Sequence, residues 1–337
     1  ENYTDILKVF NKLLKISKNS LKFEKVGNLS TNYCMKYLNE KLAYKRFDNI
    51  SGALQFFTER MLIDWVKNCI KKTKLNYLVC GGGVFMNVKA NMLISNLPEV
   101  KRMYVMPSAA DESLSIGAAL HKYHETSGDK KREKSSINNL YLGKDFDRKS
   151  ELKAIHKLIK NKKFIISDGQ KINLNKKISN LLFNNKVIAR SAGRAEWGAR
   201  ALGNRSILAR ADDINNIQKI NNMIKKRDFW MPFSPLILKE DFKKYFKDPK
   251  KINPKFMTFA FKTISKNLKH LIAASHSKDQ TIRPQIVNEE DNKSLYEILK
   301  NYKKLSWMSV LLNTSFNLHG YPIVNSPVDA VNVFLNS

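Results

Sequence analysis

Cysteine is scarce. The chain of 337 residues carries 3, at Cys34, Cys69 and Cys80, and none forms a CxxC pair. So odd and scattered a set excludes a disulfide framework and a zinc ribbon, and it fits a reducing cytoplasm. No apolar run is long enough to span a bilayer as a helix. The opening stretch, Glu1 to Leu14, lacks the charged-then-apolar layout of a secretion signal. It also lacks an initiator Met, which leads to the expectation that a front piece precedes it. No GxxxxGK[ST] loop occurs, so P-loop chemistry is not expected. No Ser-His-Asp order stands out. His121 and His124 lie three apart on an expected helix, but with no third ligand nearby they read as a solvated face; His156 and His270 read as surface residues.

Acidic residues are also few: 30 against 60 Lys and Arg, for a formal net charge of +30. A polyanion partner such as nucleic acid is one reading. The other is a lysine-rich surface, and the dispersal of lysine, as in Lys243-Lys244 and Lys303-Lys304, favours it. The compact run Lys130-Lys131-Arg132 with Lys134 falls in a polar stretch, TSGDKKREKSS.

The hydrophobic fraction of 43% supports a real core and, at this length, two domains. Ser51 to Lys72 has helical spacing of Leu54, Met61, Leu62, Trp65 and Cys69. Asn76 to Cys80 and Arg102 to Met106 read as strands, and Ser113 to Tyr123 as a helix with small residues on one face. This alternation predicts an α/β class. The polar stretch from Thr126 to Ser136 marks the boundary, giving domains 1–126 and 138–337 around a linker at 127–137. Beyond it, Lys149 to Lys160 and Asp213 to Lys226 read as helices. Phe164 to Ser167 reads as extended, and Lys186 to Ser191, Met257 to Phe261 and Met308 to Leu312 read as strands.

Certain loops have the composition of binding sites. Gly81-Gly82-Gly83 follows a buried strand, so a ligand meets no Cβ there; Asn87 adds a polar side chain. A tight turn without a ligand is the alternative. Pro107 to Leu120 delivers Asp111 into a small-residue loop ahead of a helix, where it either caps the helix or holds a cation. Gly117 there suits close helix packing or backbone approach to a nucleotide.

The strongest signal is SAGRAEWGARALGNRSILAR, Ser191 to Arg210, in which Arg194, Arg200 and Arg205 alternate with Gly193, Gly198 and Gly203. Forked guanidinium donors suit phosphate or carboxylate, and glycines bring the backbone to the same anion. Lys225 and Arg227 end an expected helix, where they either complete a phosphate cage or neutralise the helix C-terminus. Phe229, Trp230 and Phe233 beside them read as core or hinge packing. His276 to Gln285 and Asn313 to Gly320 are pocket-like in composition, with His276, Arg283, Asn313 and Ser315 as candidate ligands.

In this order, GGGVFMN, PSAADESLSIGAA, GRAEWGARALGNRSILA, NNMIKKRDFWMPFSP, HSKDQTIRPQ and LNTSFNLHGYPIVNSPVDA resemble the O-carbamoyltransferase family of nodulation protein U and antibiotic-tailoring enzymes, from about Ser51 to the C-terminus. The resemblance implies an actin/Hsp70-like ATPase part, here only its second half, followed by a YrdC-like domain. It implies that carbamoyl phosphate and ATP form a carbamoyl-adenylate and that the carbamoyl group then passes to the hydroxyl of a small molecule. Asp111 would ligate an iron or other divalent metal that also needs upstream histidines missing from this chain; Mg is a further candidate. Gly81, Gly82, Gly83, Asn87 and Gly117 would serve the nucleotide. Arg200, Arg205, Lys225 and Arg227, with Arg194, His276, Arg283, Asn313 and Ser315, would surround carbamoyl phosphate or the adenylate. The implied partners are these small molecules and a missing N-terminal segment or subunit, with no specific nucleic acid and no membrane. A tRNA-binding or tRNA-modifying protein, and an inactive truncated scaffold, are the competing readings. Two positions depart from the family pattern: Ala199 stands where Pro is usual, and Met231 where Arg is usual.

Overall fold

A computed structural model describes residues 3–337 apart from 28, 30, 128–136, 160–163, 170, 227, 229 and 230. The charged run at 130–134, Arg227, Phe229 and Trp230 therefore lie outside the described residues. The chain divides into two compact units, 1–81 with 87–106, and 82–86 with 107–337. Residues 107–126 thus fall with the second unit, whereas the sequence reading grouped them with the first.

In the first unit α1 (Thr4–Asn11) leads to a hairpin of β1 (Leu14–Ile16) and β2 (Phe23–Lys25), then to α2 (Thr31–Leu42) and α3 (Phe47–Thr73). Ile6 and Phe10 of α1 meet Ala53, Phe57 and Met61 on one face of α3, the spacing of an amphipathic helix. Lys74, left-handed at φ 60°, ends α3. β3 (Tyr77–Cys80), α4 (Val88–Ser95) and β4 (Arg102–Val105) follow, with β3 and β4 paired in parallel.

The second unit begins its regular structure with α5 (Ser113–Thr126), α6 (Arg148–Ile159) and α7 (Leu174–Phe183). β5 (Ile188–Ser191), β6 (Arg205–Arg210), α8 (Asn215–Ile220), β7 (Ser234–Leu238) and α9 (Phe242–Tyr245) come next. The chain closes with β8 (Phe246–Lys247), β9 (Phe261–Thr263), β10 (Thr281–Ile282), β11 (Gln285–Val287), α10 (Lys293–Ser306), β12 (Val310–Ser315) and α11 (Pro327–Leu335). A five-stranded mixed sheet runs β11-β7-β12-β6-β5, with only β11 and β7 parallel. All five residues of β7 are buried, as are five of six in β6 and in β12. Strands covered on both faces read as unbroken apolar runs. α7 and α10 pack on the sheet through Leu182, Leu295, Ile298 and Leu299 against Leu208, Leu236 and Leu311. Each such side chain contributes roughly 1.5–3 kcal/mol by burial.

Three local expectations are corrected. Arg205 to Arg210 is a strand, not the tail of a loop. Met257 is left-handed at φ 57°, so the strand expected over Met257 to Phe261 begins only at Phe261, as β9. His270 is half-buried with a buried Nδ1 that has no hydrogen-bond partner among the described residues. Burial, with Lys269 and Lys244 nearby and Asp212 opposing, holds its pKa below 6.5.

Two tests follow from this packing. A Cβ on Gly203, which sits at φ +110°, would stand 2.2 Å from Leu295 Cδ2. Gly203→Ala is therefore expected to cost at least about 2 kcal/mol in urea unfolding, from overpacking and backbone strain together. His270 binds its proton less readily folded than unfolded. Its contribution to stability is thus complete above the unfolded pKa and is lost as pH falls through the folded one. The urea midpoint of His270→Gln should decline less than that of the parent between roughly pH 7 and pH 5.

Candidate anion groove of the second unit

The β5–β6 connection, residues 192–204, folds back on itself. Two charged side chains of opposite sign hold it. Glu196 Oε1 accepts from the backbone N–H of Leu202 at 2.7 Å, Asn204 at 2.7 Å and Arg205 at 3.2 Å. Arg205, only 2% exposed, donates from Nε to Asn325 O at 3.1 Å, from one terminal nitrogen to Ala192 O at 3.0 Å and Asn204 O at 3.1 Å, and from the other to Gly193 O at 3.0 Å. Asn204 also accepts from Asn292 Nδ2 at 2.9 Å, and Asn292 caps α10, so the loop is tied to the helix beneath it.

Gly198 and Gly203 serve packing rather than ligand approach. A Cβ on Gly198 would lie 2.6 Å from Ser108 Cβ, and that on Gly203 would enter Leu295. Both have positive φ, at +99° and +110°. Ser108, itself left-handed at φ 52°, accepts from Ala199 N–H at 3.0 Å and donates to the Glu112 carboxylate. The Ala199 bond is one that the usual proline cannot make.

Lys225 lies in a single π-turn, residues Asn221–Lys225, that continues α8 and stops at left-handed Lys226. Its Nζ is carried inward, with 1% of the residue exposed, and donates to Ser315 Oγ at 3.1 Å, Asn317 O at 3.2 Å and Asn317 Oδ1 at 2.6 Å. Ser315 and Asn317, at the end of β12, line a groove of about 520 Å³ together with Glu196, Arg205, Tyr321 and Asn325. Arg205, Ser315 and, through its bonds, Lys225 are therefore brought together from three separate segments.

The other expected residues are dispersed or committed elsewhere. Arg194 donates to the carbonyls of Gly143 at 2.7 Å and Leu142 at 3.2 Å. Arg200 faces the charge of Glu112, and burial lowers its pKa. Arg283 Nε donates to Ser234 Oγ at 3.1 Å, and Ser234 pairs in register with Asn313. Asn313 donates to Ala201 O at 2.9 Å, while its buried Oδ1 has no partner among the described residues. His276 Nδ1 lies 3.1 Å from Asp279 Oδ1. Asn87 is spent on local structure: its Oδ1 caps α4 at Ala90 N, 3.0 Å, and its amide pairs with Gln55 at 2.8 Å. A Cβ on Gly81, Gly82, Gly83 or Gly117 would meet nothing within 4 Å, and Gly82 alone of these has positive φ. Asp111 is exposed, and the described residues contain no group of three or more His, Cys, Asp or Glu placed to hold a metal. No step is derived through a metal.

Sequence reasoning missed Glu196 and Asn317. Both were in plain view within the motifs, but an acid beside three arginines reads as a counter-ion, and an Asn after a strand reads as a turn. A further buried cation, Arg190 on β5, is 6% exposed. Burial pushes its pKa down to about 10, against the opposing pull of Tyr141 and Glu196, so it stays charged at neutral pH. Burial likewise lowers Arg205, with Glu196 opposing. Among the described residues the buried charged side chains are Arg190, Arg205 and Lys225, all positive.

Buried cations beneath an open groove in an α/β unit suit a small anion. The family description "Carbamoyltransferase N-terminus" matches residues 3–120, and "Carbamoyltransferase C-terminus" matches residues 179–337. The chain belongs to the carbamoyltransferase family. It is 31% identical over 334 residues to the uncharacterized protein MJ1058 of Methanocaldococcus jannaschii, covering 98% of this chain and 54% of that protein. It is 33% identical over 298 residues to nodulation protein NolO of Bradyrhizobium diazoefficiens, covering 86% of this chain and 52% of that one. The chain thus spans about half the length of the curated relatives it matches. A solved structure of full-length HypF in its phosphate- and nucleotide-bound form shares 15% identity at a TM-score of 0.36, over 51% of this chain and 21% of that one; so low a likeness carries no argument.

The bonding pattern separates two arginines that the sequence placed in one cage. Arg205→Ala should lose at least about 3 kcal/mol of stability, because several buried carbonyls lose their donor. Arg200→Ala should stay within about 1 kcal/mol of the parent. Chemical unfolding of the two variants side by side checks this.

Proposed function

We propose that the second unit holds carbamoyl phosphate in the groove between Arg205 and the Ser315–Asn317 turn. On this reading the chain forms part of a machine that makes a carbamoyl-adenylate from carbamoyl phosphate and ATP and carbamoylates a hydroxyl of a small molecule. The observation that carries it is the convergence of buried Lys225 and Arg205 on one groove. Removing a cation from water is costly unless it is compensated, so two cations buried at a cleft imply an anion that helps to repay them. Family membership says which anion to try first.

The chain's own residues supply three things. Lys225 supplies positive charge, and a phosphate oxygen would take the place of one of the three acceptors, Ser315 Oγ, Asn317 O and Asn317 Oδ1, that its Nζ holds. Arg205, whose donors hold backbone carbonyls, keeps the loop rigid and adds positive potential without swinging into the ligand. The partly enclosed wall limits water around a labile phosphate and orients the carbamoyl carbon. ATP, when bound, supplies the adenylate phosphate that carries the carbamoyl group; the open faces of Gly81, Gly82, Gly83 and Gly117 are consistent with backbone approach, whereas the Asn87 amide is already occupied.

The domain assignment that goes with this reading is an actin/Hsp70-like part up to about residue 126 and a YrdC-like part from about 138, with the junction between the two matched stretches. Asp111 would serve a metal only beside ligands from another segment, as a lone carboxylate seldom holds a transition metal. No helix of the described residues is long and apolar enough to cross a membrane, and the proposed setting is the cytoplasm.

Calorimetric titration of the whole chain tests the groove. Carbamoyl phosphate is expected to bind, and Lys225→Met to weaken binding by about tenfold or more, the worth of a charged hydrogen bond. Unchanged affinity in Lys225→Met would remove the groove as the site. Selective retention of tRNA over duplex DNA and heparin near physiological salt would instead favour a tRNA-directed protein, since charge alone binds all three and weakens steeply with salt.

A further inference from the structure

Glu196 is out of place in a groove for an anion. It is the acidic member of the lining among the described residues, and its charge opposes that of a phosphate. Part of its presence is explained by Oε1, which takes three backbone N–H groups. Oε2 is not used in this way: among the described residues no hydrogen bond is donated to it. A carboxylate oxygen accepts and never donates while ionised. Glu196 is half-buried and lines the groove, so an oxygen not held by the backbone is open to a ligand that brings its own N–H or O–H.

Of the parts of carbamoyl phosphate, the phosphate dianion accepts, the carbonyl oxygen accepts, and only the amide NH₂ donates. We propose that Glu196 Oε2 accepts an N–H from the carbamoyl amide, making Glu196 the specificity-determining residue of the groove. The inference rests on the reading of the groove given above and deepens it. Acetyl phosphate is nearly the same shape, with a methyl in place of the amide nitrogen. It would leave Oε2 desolvated with no donor, and sites built to bond an N–H reject analogues that lack it. Glu196 would thus select a carbamoyl donor over acyl phosphates. Its Oε1 bonds fix the carboxylate in place, so little conformational freedom is lost when the ligand arrives.

The test compares carbamoyl phosphate, freshly dissolved, with acetyl phosphate and inorganic phosphate, by calorimetry on the full chain and on Glu196→Gln. Wild type should prefer carbamoyl over acetyl phosphate by about tenfold or more. In Glu196→Gln an amide oxygen can still serve the three backbone N–H groups, but an NH₂ then faces the ligand NH₂. The preference should collapse, while acetyl phosphate and phosphate bind as well as before or better, because a negative charge has gone. An equal loss for all three ligands would make Glu196 structural only and would overturn the inference. Wild-type binding of carbamoyl phosphate and acetyl phosphate with equal affinity would overturn it too, without any variant having to fold, and would leave the anion groove standing. Wild-type binding of none of the three would overturn the groove reading and this inference with it.

Discussion

The second unit turns on the way one loop is neutralised from within. Thirteen residues between adjacent antiparallel strands, 192–204, would ordinarily leave many backbone groups to water. Here Glu196 collects amides and Arg205 collects carbonyls, so both kinds of orphan group are answered by one ion each. The two charges are not joined by a direct ion pair; they are linked through the backbone they hold. Such a loop is rigid without regular structure, and its wall can be aimed. Removing either side chain would strand several buried polar groups at once.

That rigidity has a foundation. Arg205 is the first residue of β6, a strand buried along nearly its whole length, so its Cα is fixed by the sheet before its guanidinium makes any bond. Ser315 pairs with Ser206 across the same sheet, and Leu295, at the start of α10, blocks the space behind Gly203. The groove-lining groups are thus hung on the ends of central strands, where packing leaves them little freedom. The link from Ser108 to Ala199 and Glu112 attaches the 107–112 turn to the other side of the same loop. In this chain, Ala at 199 is what permits it.

Much of this was legible in the residues. The order of Gly-rich and Arg-rich motifs identified the family, and the helical period found α3, although of the residues at that spacing Met61 and Leu62 are buried while Leu54 is 46% exposed and the core runs through Ala53, Phe57 and Val66 instead. What failed did so for physical reasons. β6 and β7 are buried on both faces, so their sequences have no alternation to read, and RSILAR passed for loop. Composition shows that Arg205 is a donor but not what it donates to, which is the carbonyls of Ala192, Gly193, Asn204 and Asn325. The glycines at 198 and 203 were read as making room for an anion, when the room goes to Ser108 and Leu295. Lys225 is buried against the Ser315–Asn317 turn, and the π-turn that carries it inward has no compositional mark.

Net charge misleads in this chain, and location corrects it. With 60 Lys and Arg, a total of +30 says little about what is bound, since most of those side chains are solvated. Solvent screens exposed charges, while the few that are buried act in a medium where the field persists. Arg190, Arg205 and Lys225 are such charges, and no buried acid among the described residues cancels them. A polyanion needs a long track of exposed cations, with aromatic platforms for bases if it is single-stranded. Here one buried cation, Arg205, lines the groove and a second, Lys225, bonds to two residues that line it, a compact arrangement unlike such a track.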